Sequence, residues 1–383
     1  MTNAMKITEE QSLMVDTIRK VTEEKFKPRA AEISETGEFP MENIKLLGDL
    51  GILGISIPEE YGGSDGTVMD AVLILEEIAK GCYITAMAAL GEIGVQTKAI
   101  VAYGTEEQKH KYLPRIARGD AILAICITEP DTGSDAAQMK TNAVLKGNKY
   151  IVNGTKTMIS RAEVADLFLL FTRFEGEEGY KGIGCLLVDK DTLGLQVKQG
   201  FKTMGGEYLW EVVLEDCEVP VENVLVRENG FKKLMSGFNT QRCLNPAITL
   251  GLAEGAFNEA LRFTKEREQF GQKISDFQGI QWMLAEMYTE IEASKALLYK
   301  AAMNAGKGFS DQLEASTAKF FTNEMAIRVT NKALQLHGGY GYTKEYPVER
   351  MVRGARFGAL GGGTSEIQKN VIAKKLLNAD RIY

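Results

Sequence analysis

Cysteine and histidine are scarce in this chain of 383 residues, and neither is arranged for metal chemistry. The five cysteines, Cys82, Cys126, Cys185, Cys217 and Cys243, form no CxxC pair, and neither His110 nor His337 is near a cysteine in sequence. That argues against a zinc site and for a reducing compartment without a disulfide framework. Long apolar runs are missing too. Stretches such as Leu167 to Phe171 fall far short of the roughly 20 residues needed to span a bilayer, and no charged-then-apolar leader opens the chain. The expectation is a cytoplasmic protein with no membrane insertion. Positive charge is not in excess: 45 basic against 52 acidic residues give a net charge of −7, the wrong sign for a nucleic-acid binder. No internal repeat appears. No GxGxxG between a strand and a helix and no GxxxxGK[ST] are present, which leaves nicotinamide and ATP sites on those folds without support.

What is present is ordinary globular material, 44% hydrophobic and 25% charged, in a chain long enough for two or three units. From Ile7 to about Asp120 the pattern is helical. Met14, Ile18 and Val21 share a face, Pro58 to Gly63 break the run, and Thr105 with Gln108 reads as a capping box. Around Ala121 the texture changes to short apolar or alternating runs, with a hairpin turn at Lys146-Gly147-Asn148. From about Phe231 long amphipathic segments return. The expected fold is α+β in three parts: helical over 1–121, β over 122–232 and a helical bundle over 233–383.

Several polar, glycine-shaped segments punctuate this frame. Thr128-Glu129-Pro130-Asp131-Thr132-Gly133-Ser134 follows a strand, where backbone N–H groups and hydroxyls can face an oxygen-rich ligand. Further on come Gly154 to Ser160, Arg267-Glu268-Gln269-Phe270-Gly271 with Phe277-Gln278, Gln335-Leu336-His337-Gly338-Gly339, and Gly363-Thr364-Ser365-Glu366-Ile367-Gln368. Together with Leu50 to Gly54 and Pro58 to Gly63, their order and spacing resemble the acyl-CoA dehydrogenase family of flavoproteins from the first helix to the last.

The resemblance implies an N-terminal helical domain, a central β-barrel-like domain and a C-terminal four-helix bundle. It also implies a homotetramer with one FAD per subunit, an acyl-CoA thioester substrate and an electron-transferring flavoprotein as acceptor. Thr128 then resembles the threonine that bonds the flavin ring. Ser134 resembles the serine beside flavin and CoA, Ser160 stands where the family keeps a Thr or Ser near flavin N5, and Met158 replaces the aromatic residue expected before it. Arg267 and Phe270, with Gln278, Gln335, Gly338 and Gly339, match the set that reaches a neighbouring subunit's FAD, a contact suited to a guanidinium. Thr364 and Glu366 match the segment over the adenosine side, and Arg242 the arginine that holds CoA.

The chain departs from the family at the acyl end. The usual Tyr-Glu-Gly-Thr run reads Gly361-Gly362-Gly363-Thr364, and Gln241 stands where one branch keeps an alternative glutamate. A carboxamide cannot act as a general base near neutral pH, so neither customary position supplies one. Arg161 replaces a common asparagine. On the helix that lines the acyl pocket, Met87 and Gly91 are spaced to face it. Glu92 is the only carboxylate between Lys80 and Lys98; it is either an inward base candidate with a raised pKa or an exposed helix glutamate. Cys243 is the second candidate, with inert packing as its other reading. Loss of the Tyr-Glu pair suggests an opening at Gly361 and Gly362 for a cyclic or branched acyl group. The alternatives are redox-neutral chemistry like that of 3-sulfinopropionyl-CoA desulfinases, whose pocket helix carries an arginine absent from Thr85 to Leu90, or a non-catalytic flavin- and acyl-CoA-binding subunit.

Overall fold

A computed structural model describes residues 7–175 and 179–378. Three helices of the N-terminal part start with a reciprocal capping box: Thr8 with Gln11, Thr67 with Asp70, and Thr105 with Gln108. In order the helices are α1 (Glu9–Val21), α2 (Ala30–Thr36), α3 (Met41–Asp49), α4 (Val68–Gly81), α5 (Tyr83–Ile93), α6 (Val95–Tyr103) and α7 (Glu106–Ala117). α4 and α5 are buried almost all round, as helices with little polar face must be. Residues 83–103 are long and apolar enough by length and composition to cross a membrane, yet 89% of that window is buried inside the fold. In sequence Glu92, Gln96 and Lys98 interrupt this run, and in the fold they are themselves buried.

The β part comprises β1 (Leu123–Cys126), β2 (Asn142–Lys146), β3 (Lys149–Ser160), β4 (Leu167–Phe174), β5 (Ile183–Asp189), β6 (Leu195–Lys202), β7 (Tyr208–Pro220) and β8 (Val224–Val226). They form one sheet in the order β6-β7-β3-β2-β4-β5-β8, with β1 parallel to β4. The hairpin joins Lys146 to Lys149. β4 is apolar without alternation because both of its faces are covered. Leu167, Leu169 and Phe171 pack with Tyr112, Leu113 and Ile116 of α7, while Phe168, Leu170 and Phe174 pack with Tyr150, Val152 and Val212 across the sheet.

The C-terminal part contains α8 (Gly230–Glu266), a short hairpin of β9 (Glu268–Gln269) and β10 (Gln272–Lys273), α9 (Gln278–Ala305), α10 (Gln312–His337), α11 (Val348–Ala355) and α12 (Ser365–Leu377). One apolar core runs through α4, α5, α8, α9 and α10, so the two helical parts bury each other. Polar clamps cross it: Lys80 Nζ lies 2.9 Å from Glu254, and the Tyr299 hydroxyl donates to Glu76 over 2.8 Å. All five cysteines are buried and free, and no cluster suited to a metal occurs among the described residues.

Candidate active site

The regular pairing of β3 with β7 slips between Lys156 and Ile159. A bulge of this kind re-aims the side chain it carries. Met158 sits there with φ +58° and is 51% exposed, although Thr157 and Ile159 on either side are buried. Just past Ser160, Arg161 also adopts a left-handed backbone, φ +65°, a conformation that costs a side-chain-bearing residue energy and recurs at functional sites. The Thr157 N–H donates to the Thr128 carbonyl over 2.9 Å, which ties the Thr-Glu-Pro loop to the bulge.

Glu129 anchors that loop from below. Its carboxylate accepts from the Lys140 N–H (2.6 Å), the Thr141 N–H (2.9 Å) and the fully buried Lys156 Nζ (2.8 Å). Burial works against the charge on Glu129, but Lys156 and the two amides outweigh it and hold the carboxyl below its ordinary value. Thr128 is half-buried beside this anchor, and Ser134 is exposed on the same loop.

Another set of residues comes from α8, α10 and the loop between α11 and α12. A Cβ built at Gly362, φ +66°, would lie 3.8 Å from Lys319 Cε and 3.9 Å from Gln241 Cγ, ordinary contact distances at which it would fit without a clash. At Gly361 the expected opening is absent: a Cβ there would fall 2.3 Å from the Phe357 ring, which fills the volume. Lys319 escaped sequence reasoning. It is fully buried on the face of α10 that carries Ala315 and Thr322, and donates to the Gly358 and Gly363 carbonyls over 3.0 and 2.9 Å. Burial, with Arg242 nearby, pulls its pKa down to about 7. A lone lysine among the small residues of an otherwise packed helix face was the available signal. Arg242 is buried beside it, with Nη1 on Asn239 and Nε lacking a partner.

α5 closes the site. Glu92 is fully buried, its Oε1 accepting from the Leu123 N–H over 3.0 Å and its Oε2 lying 3.6 Å from Arg161 Nη1. Burial raises its pKa against the pull of Arg161. Gly91, expected to face the acyl pocket, lies directly against Arg161. A Cβ there would fall 1.5 Å from Arg161 Nη1, so the guanidinium covers it. The pocket helix thus has no cation in its own sequence but receives one from the end of β3. Met87 is half-buried. Cys243 donates to Ser310 Oγ over 3.3 Å, and burial pushes its thiol up to about 11, which leaves it a packing residue.

A second group lies on the C-terminal surface. Phe270, φ +54° at the tip of the β9–β10 hairpin, is 93% exposed. Arg267 stacks over Tyr340 at 5.6 Å, and Gln278, Gln335, Gly338 and Gly339 are exposed. His337 ends α10, stacked on Phe263. Thr364 caps α12, accepting from the Ile367 N–H, with Glu366 exposed in the first turn. Among the described residues no hydrogen bond, ion pair or ring contact joins Arg267, Phe270 or Gln335 to the Met158–Gly362 group. The residues fit a flavin dinucleotide: an exposed thioether and half-buried hydroxyls in one group, an exposed guanidinium and an exposed aromatic ring in the other, and buried atoms without a hydrogen bond at Gln241 Oε1 and Arg242 Nε.

Fold and site together define a flavin-dependent oxidoreductase of CoA thioesters. The N-terminal, middle and C-terminal domain models of acyl-CoA dehydrogenases match residues 8–120, 124–217 and 228–377, and the chain belongs to the acyl-CoA dehydrogenase family, whose cofactor is FAD. It is 42% identical over 373 residues to the short-chain-specific acyl-CoA dehydrogenase of Clostridium acetobutylicum, covering 97% of this chain and 98% of that one. It is 40% identical over 378 residues to the NADH-linked acryloyl-CoA reductase of Anaerotignum propionicum, covering 97% and 95%. Among solved structures it superposes with a TM-score of 0.95, at 38% identity and over 98% and 99% of the two chains, on a chain described as an electron transferring flavoprotein of Acidaminococcus fermentans.

Proposed function

We propose that this protein interconverts a saturated and an α,β-unsaturated CoA thioester whose acyl group is compact, cyclic or branched, for example a cyclohexane- or cyclohexene-carboxyl thioester. Bound FAD supplies the hydride acceptor. The chain itself binds and orients the thioester and takes up the proton. Arg242, buried but with Nε free, serves the CoA moiety together with Ser134, and Met87 bounds the acyl chain. With glycine at 362 and a carboxamide at 241, Glu92 is the carboxylate assigned to proton removal. Its Oε2 carries no hydrogen bond, and the pKa raised by burial makes it a stronger base than an exposed glutamate. A proton taken at a vinylogous carbon suits a base on the pocket helix.

The observation that carries the substrate shape is the missing side chain at Gly362, where a Cβ would meet Lys319 and Gln241 only at ordinary contact distances. A straight chain leaves such space empty, and unfilled apolar volume costs roughly 24 cal/mol per Å³. The filled position at Gly361 limits this opening to one side chain's worth. Kinship with both a dehydrogenase and a reductase supports catalysis in either direction, and the neighbour described as an electron transferring flavoprotein supports such a partner. Exposure of Phe270, Arg267 and Gln335 supports a homotetramer in which they reach a neighbour's cofactor, and the free cysteines support a cytoplasmic setting. A steady-state comparison tests the shape: alicyclic thioesters should exceed butyryl- and octanoyl-CoA in kcat/KM, and Gly362→Glu should depress alicyclic turnover selectively. A wild-type preference for linear chains would refute it.

A further inference from the structure

Arg161 is 8% exposed and sits at the end of β3 in a left-handed backbone that lays its guanidinium across Gly91. Only glycine at 91 permits this approach. A guanidinium has five N–H donors, and this one makes a single hydrogen bond, Nη1 to the Ala88 carbonyl at 2.9 Å. Its Nε is buried without a partner. The Glu92 carboxylate pairs with it electrostatically at 3.6 Å but is too far for a hydrogen bond, and its Oε2 accepts none from elsewhere. Gly94 lies three residues beyond Gly91, and a Cβ there would be 3.2 Å from Gln241 Oε1, a third atom without a hydrogen bond. Gln241 in turn borders Gly362. The unspent polar atoms therefore follow one path, from Arg161 along α5 to the glycine loop.

Buried polar atoms are nearly always paired, and each exception asks for an explanation. A pocket meant for hydrocarbon alone would leave all three without hydrogen bonds whenever substrate excluded water. We propose that Arg161 is a specificity-determining residue that donates hydrogen bonds to an oxygen on the distal part of the acyl group, a hydroxyl, a carbonyl or a carboxylate. This rests on the reading of the site as an acyl-CoA pocket, and within that reading it favours acyl groups that carry a distal oxygen over purely hydrocarbon ones of the same size.

Three thioesters of equal chain length test it in the FAD-loaded wild type: valeryl-, 5-hydroxyvaleryl- and glutaryl-CoA. Calorimetric binding should favour at least one oxygenated compound over valeryl-CoA by roughly 10-fold to 100-fold, the range of a charge-assisted hydrogen bond. Their mutual order shows whether the oxygen is neutral or anionic. Arg161→Met should abolish the preference while leaving affinity for free CoA unchanged. Gly91→Ala, which displaces the guanidinium, should do the same. Equal or tighter binding of valeryl-CoA by the wild type overturns the proposal, even if neither variant folds. Failure of every thioester to reduce the flavin would instead sink the assignment of the reaction and leave the binding order standing.

Discussion

Replacing Lys156 with methionine tests how the fold holds the Thr-Glu-Pro loop that we propose faces the flavin. Lys156 Nζ is buried between the Glu129 carboxylate at 2.8 Å and the Ile127 carbonyl at 3.0 Å. Methionine fills similar volume but strands a buried carboxylate and an acceptor. Breaking a buried pair by removing one partner costs about 3–5 kcal/mol, and the low end applies because Glu129 keeps the Lys140 and Thr141 amides. At 2–4 °C per kcal/mol for a mid-sized domain, the melting temperature should fall by at least about 6 °C. The loop should loosen with it, because Thr128 lies between Ile127 and Glu129. FAD content after gel filtration should therefore drop more steeply than in a variant of equal stability loss placed in the N-terminal helices. A Lys156→Met protein that melts within about 1 °C of wild type and keeps its flavin would refute this account of the anchor.

Arg267→Ala should weaken FAD retention about 10-fold or more by removing a charge-assisted contact worth roughly 1.5–3 kcal/mol, measured by flavin release on dilution; unchanged retention would deny Arg267 a cofactor role. Glu92→Gln keeps an acceptor for the Leu123 N–H and should preserve the fold and thioester binding while slowing flavin reduction by a factor on the order of 10², read by anaerobic stopped flow. Burial lowers the pKa of Lys319 to about 7 and of Lys98 to about 8. The unfolded chain therefore holds more protons from there up to the ordinary lysine range, and stability should rise with pH across that window. Lys319→Met should flatten its share of the rise and be most destabilising at alkaline pH, where it only strands the Gly358 and Gly363 carbonyls; denaturant titrations at several pH values check this.

The frame of the molecule was legible because its signals are local. A threonine and a glutamine three residues apart gave the α7 cap, a Lys-Gly-Asn turn gave the β2–β3 hairpin, and apolar periodicity separated the helical parts from the sheet. The site was legible only where a motif carries it. The direction of Glu92 depends on Leu123 and Arg161, which lie 31 and 69 residues away along the chain, and no helix periodicity reports such partners. The reach of Arg161 depends on a strand bulge and a left-handed residue, neither of which has a glycine or asparagine to announce it. Gly361 reads as lost volume until Phe357, four residues back, is seen to fill it. Lys319 has no motif at all; its role follows from where two carbonyls of a glycine loop fall.

The central claim, oxidation of an acyl-CoA chain by bound FAD, is tested most directly by anaerobic titration of the purified holoprotein with cyclohexanecarboxyl- and cyclohexenecarboxyl-CoA and the three matched thioesters, followed by flavin absorbance and product analysis. The account predicts loss of the oxidised-flavin band with matching formation of unsaturated thioester for at least one compound. Consumption of a thioester while the flavin stays oxidised, or tight binding of all of them without any change, would contradict it.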